Sequence, residues 1–171
     1  MKIPVFVSSP TKLNSTQEKT RKAIFTALDD FGLEPRALGQ SDYPTRLPLR
    51  EVLTIAKHCA GAMILGFEQQ FAPKIEIRRG LAKAKGGSTA TNVSYPTPWN
   101  HLEAGILFSL GLPQLVFRDS GITGGIFDNG VSDVFIHEMP KPNRQGIFNK
   151  QVVDLLLKWQ ADVRRHYYEE N

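Results

Sequence analysis

Thr97-Pro98-Trp99-Asn100-His101-Leu102-Glu103-Ala104-Gly105-Ile106-Leu107-Phe108-Ser109-Leu110-Gly111-Leu112-Pro113-Gln114-Leu115-Val116-Phe117-Arg118 reads as a helix followed at once by a strand. Thr97 suits the N-cap, and Pro98 the first helical position, where a missing N–H costs nothing. Gly111 fits the position past the last turn, with Pro113 blocking continuation. At roughly 100° per residue, Trp99, Leu102, Ile106, Leu107 and Leu110 share one face. Glu103 falls within that arc. A buried carboxylate costs several kcal/mol (order of magnitude) unless it is paired or protonated. Two readings stand open: a structural acid satisfied by a cation or backbone amides, or an active-site carboxyl lining a cleft.

Similar units flank this one. Ile3 to Ser8 is an apolar run that ends in small polar residues, a buried first strand. The next helix opens with the capping box Ser15-x-x-Glu18, or with Asn14 and Gln17 one residue earlier. Ala23, Ile24, Ala27, Leu28 and Phe31 mark its inner face, and Gly32 ends it. Leu33 to Leu38 is a short second strand. Pro48 opens a helix with Leu49, Val52, Leu53, Ala56 and Cys59 inward. Gly61 to Gly66 is a third strand, Gln114 to Arg118 a fourth, and Val134 to Ile136 a fifth. Asn149 caps a last helix that turns Val152, Val153, Leu156, Trp159 and Val163 inward. Strands alternating with helices make a parallel sheet covered on both faces. The expectation is one domain over 1–171: a flavodoxin-like, doubly wound, five-stranded parallel sheet of order 2-1-3-4-5.

Composition excludes several classes. Of 171 residues, 41% are apolar and 22% charged, as in ordinary globular domains, and the net charge of +4 is mild. No apolar run approaches the ~18 residues of a membrane span, and the start of the chain shows no signal-peptide pattern, so a cytoplasmic location is expected. Cys59 is the only cysteine, at core spacing, so no disulfide framework is available. Asp119, Asp128 and Asp133 lack the fixed spacing of a metal loop, so no metal is expected. Residues 67–97 read as an irregular basic flap carrying Lys74, Arg78, Arg79, Lys83 and Lys85, with a short helix around Ile75 to Lys85. Its cations are not interleaved with aromatics, which disfavours nucleic acid.

In such a sheet the ligand lies beyond the carboxyl ends of the strands, near the switch between the first and third. That gathers Ser8, Ser9, Asp42, Tyr43, Phe67, Trp99 and Arg118 as candidate ligand contacts around Glu103 as the candidate catalytic carboxylate. A glutamate there can stabilise an oxocarbenium-like transition state or attack the anomeric carbon, the equipment for cleaving an N-glycosidic bond. Trp99 could stack on a base, and Arg118 could pair with Glu103 or with a phosphate.

The first strand ending in Ser8-Ser9, with Trp99-x-x-x-Glu103-Ala104-Gly105 and Gly111-Leu112-Pro113-Gln114-Leu115-Val116, resembles the Toll/interleukin-receptor (TIR) and nucleoside 2-deoxyribosyltransferase groups. The deoxyribosyltransferase pattern has an Asp and a Gly where Thr97 and Trp99 stand. The TIR resemblance implies a nucleotide N-glycosidase that hydrolyses NAD at the nicotinamide–ribose bond, in a bacterial stress or antiphage pathway. It also implies self-association, with the nucleotide as substrate and no cofactor. The alternatives are a deoxyribosyltransferase-like enzyme and a non-catalytic TIR-like nucleotide-sensing module.

Overall fold

A computed structural model describes residues 2–38 and 47–169. The sheet is built from β1 (Ile3–Ser8), β2 (Leu33–Arg36), β3 (Ala62–Gly66), β6 (Gln114–Arg118) and β7 (Ile136–Glu138). All pairings are parallel, and the order is β2-β1-β3-β6-β7. With the hairpin strands β4 (Gln70–Ile77) and β5 (Ser88–Tyr95) set aside, this is the expected flavodoxin-like order.

Alternation along each strand splits the core in two. Val5, Val7, Met63, Leu65, Leu115 and Phe117 face a cluster shared with α1 (Ser15–Asp30) and α4 (Lys150–Glu169). Phe6, Ala62, Ile64 and Val116 face the other side, where α2 (Pro48–Ala56) and α3 (Pro98–Ser109) pack. The period of two sends successive side chains to opposite faces, so each strand must be apolar throughout. The inward face foreseen for α4 is the observed one, and Trp159 Nε1 donates to Pro113 O at 3.0 Å. Cys59 lies in the α2–α3 core. Among the described residues no helix is long and apolar enough to cross a membrane.

Several local readings need correction. The box on α1 is Asn14 with Gln17, not Ser15 with Glu18: Asn14 Oδ1 accepts from Thr16 N and Gln17 N, and Gln17 Oε1 accepts from Asn14 N. On α2 the buried residues are Val52, Ile55 and Ala56, whereas Leu49 and Leu53 are exposed. The buried face of α3 is Asn100, Glu103, Ala104 and Leu107, one residue along from the apolar arc, a rotation of roughly 100°. The last strand begins at Ile136, and Phe135 is exposed.

The largest departure is the segment 67–97. It is an antiparallel hairpin, in register from Gln70 opposite Tyr95 to Ile77 opposite Ser88, with one 3₁₀ turn at Lys83–Lys85. The short helix expected around Ile75 to Lys85 is instead the end of β4 and the 3₁₀ turn, and the run from Gly86 to Asn92, read as flexible from its small polar residues, enters β5 at Ser88. The β-forming run Ser88-Thr89-Ala90-Thr91-Asn92-Val93-Ser94-Tyr95 was the signal that pointed to a strand. The hairpin base is bolted to the sheet. Asp119 Oδ2 accepts from Glu68 N at 2.8 Å and from Gln17 Nε2 at 3.3 Å, Gln17 Nε2 also donates to Glu68 O, and Ser94 Oγ donates to Glu68 Oε2.

The capping geometry makes a simple distinction testable. Asn14→Ala is expected to lower unfolding stability by about 1 kcal/mol in urea denaturation, and Ser15→Ala by no more than about 0.5 kcal/mol. Equal losses would return the cap to Ser15.

Candidate functional site

The carboxyl ends of β1 and β3 and the start of α3 enclose a crevice of about 370 Å³. The β1–α1 loop contributes Ser9, Pro10 and Thr11; Leu38 and Pro48 form one wall; Gln69 enters from the hairpin base. Thr97, Trp99, Asn100 and Glu103 come from the first two turns of α3. Helix α3 starts there because Thr97 caps it, Asn100 N donating to Thr97 Oγ1 at 3.3 Å, with Pro98 beside the cap.

At the floor lie three buried polar side chains. Asn100 Nδ2 donates to Ser8 Oγ at 2.8 Å and reaches Leu65 O at 3.4 Å. Ser8 in turn hydrogen-bonds the Glu103 carboxyl. Ser8 and Asn100 are each 1% exposed and Glu103 is 8% exposed. Burial pushes the Glu103 carboxyl up to about 7, and the bond from Ser8 pulls the other way without cancelling it. Among the described residues no cation pairs with Glu103.

The remaining candidates fall out as follows. Ser9 and Trp99 line the crevice, and Trp99 keeps 42% of its surface exposed. Ser8 is walled in and serves Glu103 rather than a ligand. Phe67 is fully buried in the α1–α4 core and is not a ligand contact. Arg118 pairs neither with Glu103 nor with the crevice: its Nη1 donates to Ile122 O at 3.1 Å and Phe127 O at 2.6 Å, closing the loop after β6. Asp42 and Tyr43 lie outside the described residues. Asp119 and Asp128 accept backbone amides of Glu68 and Gly124. Sequence reasoning missed Asn100, although its spacing of three from Glu103 sets both on one helix face. Gln69 was missed because its segment had been read as a flap.

Such a carboxyl is suited to hydrogen bonding in its neutral form. Protonated, it offers one donor and one acceptor side by side. It is a weak nucleophile in that form and offers no negative charge to a developing cation. Among the described residues lining the crevice there is no second carboxyl to share acid and base roles.

No protein-family model matches the chain, and no curated protein matches it. Among solved structures it is similar to diflavin flavoprotein A3 from Nostoc sp., with 14% identity over 99% of this chain and 97% of that chain, and a TM-score of 0.46. The TIR and deoxyribosyltransferase resemblance drawn from Trp99-x-x-x-Glu103 is corrected accordingly: the likeness found is to a flavoprotein. With it go NAD hydrolysis, deoxyribosyl transfer, the TIR-like sensing module, the antiphage role and the expectation that no cofactor is used.

Linkage turns the raised Glu103 value into a stability profile. The folded state favours the neutral acid, so the contribution is full below the ordinary carboxyl value of 4.5 and is lost as pH rises through about 7. Across that window the wild type is expected to lose about 3 kcal/mol of unfolding stability at this one group. Glu103→Gln, which cannot ionise, should lack that decline. Urea midpoints of the two proteins that fall in parallel from pH 5 to 8 would refute the assignment.

Proposed function

We propose that the crevice binds a planar heteroaromatic ring through a lactam edge, with a flavin as the first candidate, and that Glu103 and Trp99 are its principal contacts. The observation that carries this reading is the Asn100–Ser8–Glu103 network at the carboxyl ends of β1 and β3, with no cation paired to Glu103 among the described residues. A neutral carboxyl presents O–H and C=O together, and a lactam presents C=O and N–H together. The two match in a paired hydrogen bond. Trp99, half exposed at the mouth, supplies an apolar plane for offset stacking. Further support comes from the flavodoxin-like order, in which the switch between the first and third strands is where a flavin mononucleotide sits in flavodoxin itself.

The residues fit the ring better than a phosphate. The first amides of α1, the usual anion cradle at this edge, are occupied by Asn14. Among the described residues lining the crevice there is no Lys or Arg. The ring would therefore rest between Trp99 and Glu103, with any phosphate outside. A bound flavin supplies one- and two-electron transfer. This chain would contribute the hydrogen-bonded edge, the stacking plane and the exclusion of water.

Titration of the protein with riboflavin and with flavin mononucleotide, read by quenching of flavin fluorescence, tests the proposal. Both should bind saturably, with affinities within about threefold of each other because the phosphate finds no cation. Trp99→Ala should weaken binding about tenfold. Wild-type affinity should fall as pH rises through about 7, since the ionised acid loses its donor, whereas Glu103→Gln should bind equally at pH 6 and pH 8. No quenching by either flavin, or a pH profile shared by wild type and Glu103→Gln, would overturn it.

A further inference from the structure

A second cavity, of about 700 Å³, lies away from the crevice, between α1 and the segment joining β7 to α4. One wall is a single face of α1: Thr16, Lys19, Thr20, Ala23 and Thr26, spaced by three and four, with Lys22 beside them. The other is the turn from Lys141 to Gly146, which brings Lys141 and Arg144 to the same space.

Three features distinguish this cavity from an ordinary solvated surface. Four cations from two separate segments converge on it, and no Asp or Glu is among its lining residues. None of the four takes part in an ion pair among the described residues, whereas Glu18 and Asp29 on α1 pair elsewhere, with Arg21 and Lys2. The turn also holds its own shape. Asn143 Oδ1 accepts from Gln145 N and Ile147 N at 2.9 Å each, Asn143 N donates to Ile147 O, and Gly146 adopts the positive φ of +81° that the turn requires. The cations are therefore mounted on rigid backbone before anything binds. Like charges held around one cavity repel, and a polyanion would relieve that repulsion.

We propose that this cavity is a second binding site, for a small soluble molecule carrying two or more linked phosphates. Lys19, Lys22, Lys141 and Arg144 supply the charge, and the threonine hydroxyls of α1 supply neutral donors. The concave shape fits a compact ligand. An extended nucleic acid would call for a cationic stripe interleaved with aromatics, and the lining has no aromatic residue.

Calorimetric titration with tripolyphosphate, orthophosphate and a single-stranded dodecanucleotide at one fixed ionic strength tests this. Tripolyphosphate should bind one to one and at least about tenfold more tightly than orthophosphate. The double variant Lys141→Ala/Arg144→Ala should weaken it by at least about tenfold. A control of equal charge change on the hairpin, Lys83→Ala/Lys85→Ala, should leave it within about twofold. Amide NMR shifts caused by tripolyphosphate should cluster at residues 16–26 and 141–146 in the wild type. Absence of saturable heat, equal weakening by the control, shifts centred elsewhere, or displacement of tripolyphosphate by the oligonucleotide would each overturn the proposal.

Discussion

A buried carboxyl group, without a cation partner among the described residues and held under the carboxyl edge of a parallel sheet, is the constraint around which this structure is arranged. Burying Glu103 as a carboxylate is costly, and burial raises its pKa to about 7, while a hydroxyl from β1 and an amide from α3 complete a chain of hydrogen bonds in which every member is buried. The strand register makes that chain possible. Ser8 is the last residue of β1 and is level with Ile64 of β3, and Leu65 O accepts the same Asn100 amide. If the α3 face were rotated back to the apolar arc, Leu102 would be buried and Glu103 would stay inward, but Asn100 would leave the floor and Ser8 would lose its amide partner. Unsatisfied buried polar atoms cost more than a half-exposed leucine. Asn100, bonded to Ser8 and to Leu65 O, therefore sets the helix rotation.

The hairpin answers to the same edge. A two-stranded ribbon is marginal alone, and this one is mostly exposed along its length. It is fixed at its base, where Asp119 after β6 and Gln17 in α1 hold the Glu68 backbone. Gln69 reaches the crevice as a result of that anchoring. A segment that composition alone would leave as a loop becomes a wall of the site because two side chains from distant elements share its first residues.

The chain made the sheet legible because each strand is apolar on both faces, and a fully covered parallel sheet allows nothing else. Strand order followed from crossover handedness, and Glu103 stood out as a charge among apolar neighbours. Other features depend on long-range partners that periodicity does not encode. The helical wheel of α3 placed Trp99 and Leu102 inward because it counts hydrophobicity and not hydrogen bonds. Arg118 looked like a partner for Glu103 because both lie near the same edge, yet the glycine-rich loop after β6 presents carbonyls closer to hand. Phe67 follows a strand end that borders the crevice, but its ring turns into the opposite core. The short motif around Glu103 suggested a family, and a motif of that length describes a capped helix with an inward acid as well as it describes any one chemistry.

The electrostatics of the two cavities point in opposite directions. Among the described residues the crevice between β1 and α3 is poor in charge, and burial holds its one acid, Glu103, well above the usual carboxyl range. The cavity beside α1 is rich in fixed cations and has no acid in its lining. Both draw on α1: its N-terminal loop borders the first, and its outer face borders the second. Because Asn14 closes the α1 amides, the positive end of that helix is not available to a ligand in the crevice. Among the described residues the charge that would attract an anion is gathered beside Lys22 and Arg144 and not beside Glu103. The contrast between the two cavities follows from one capping residue and the placement of four cations.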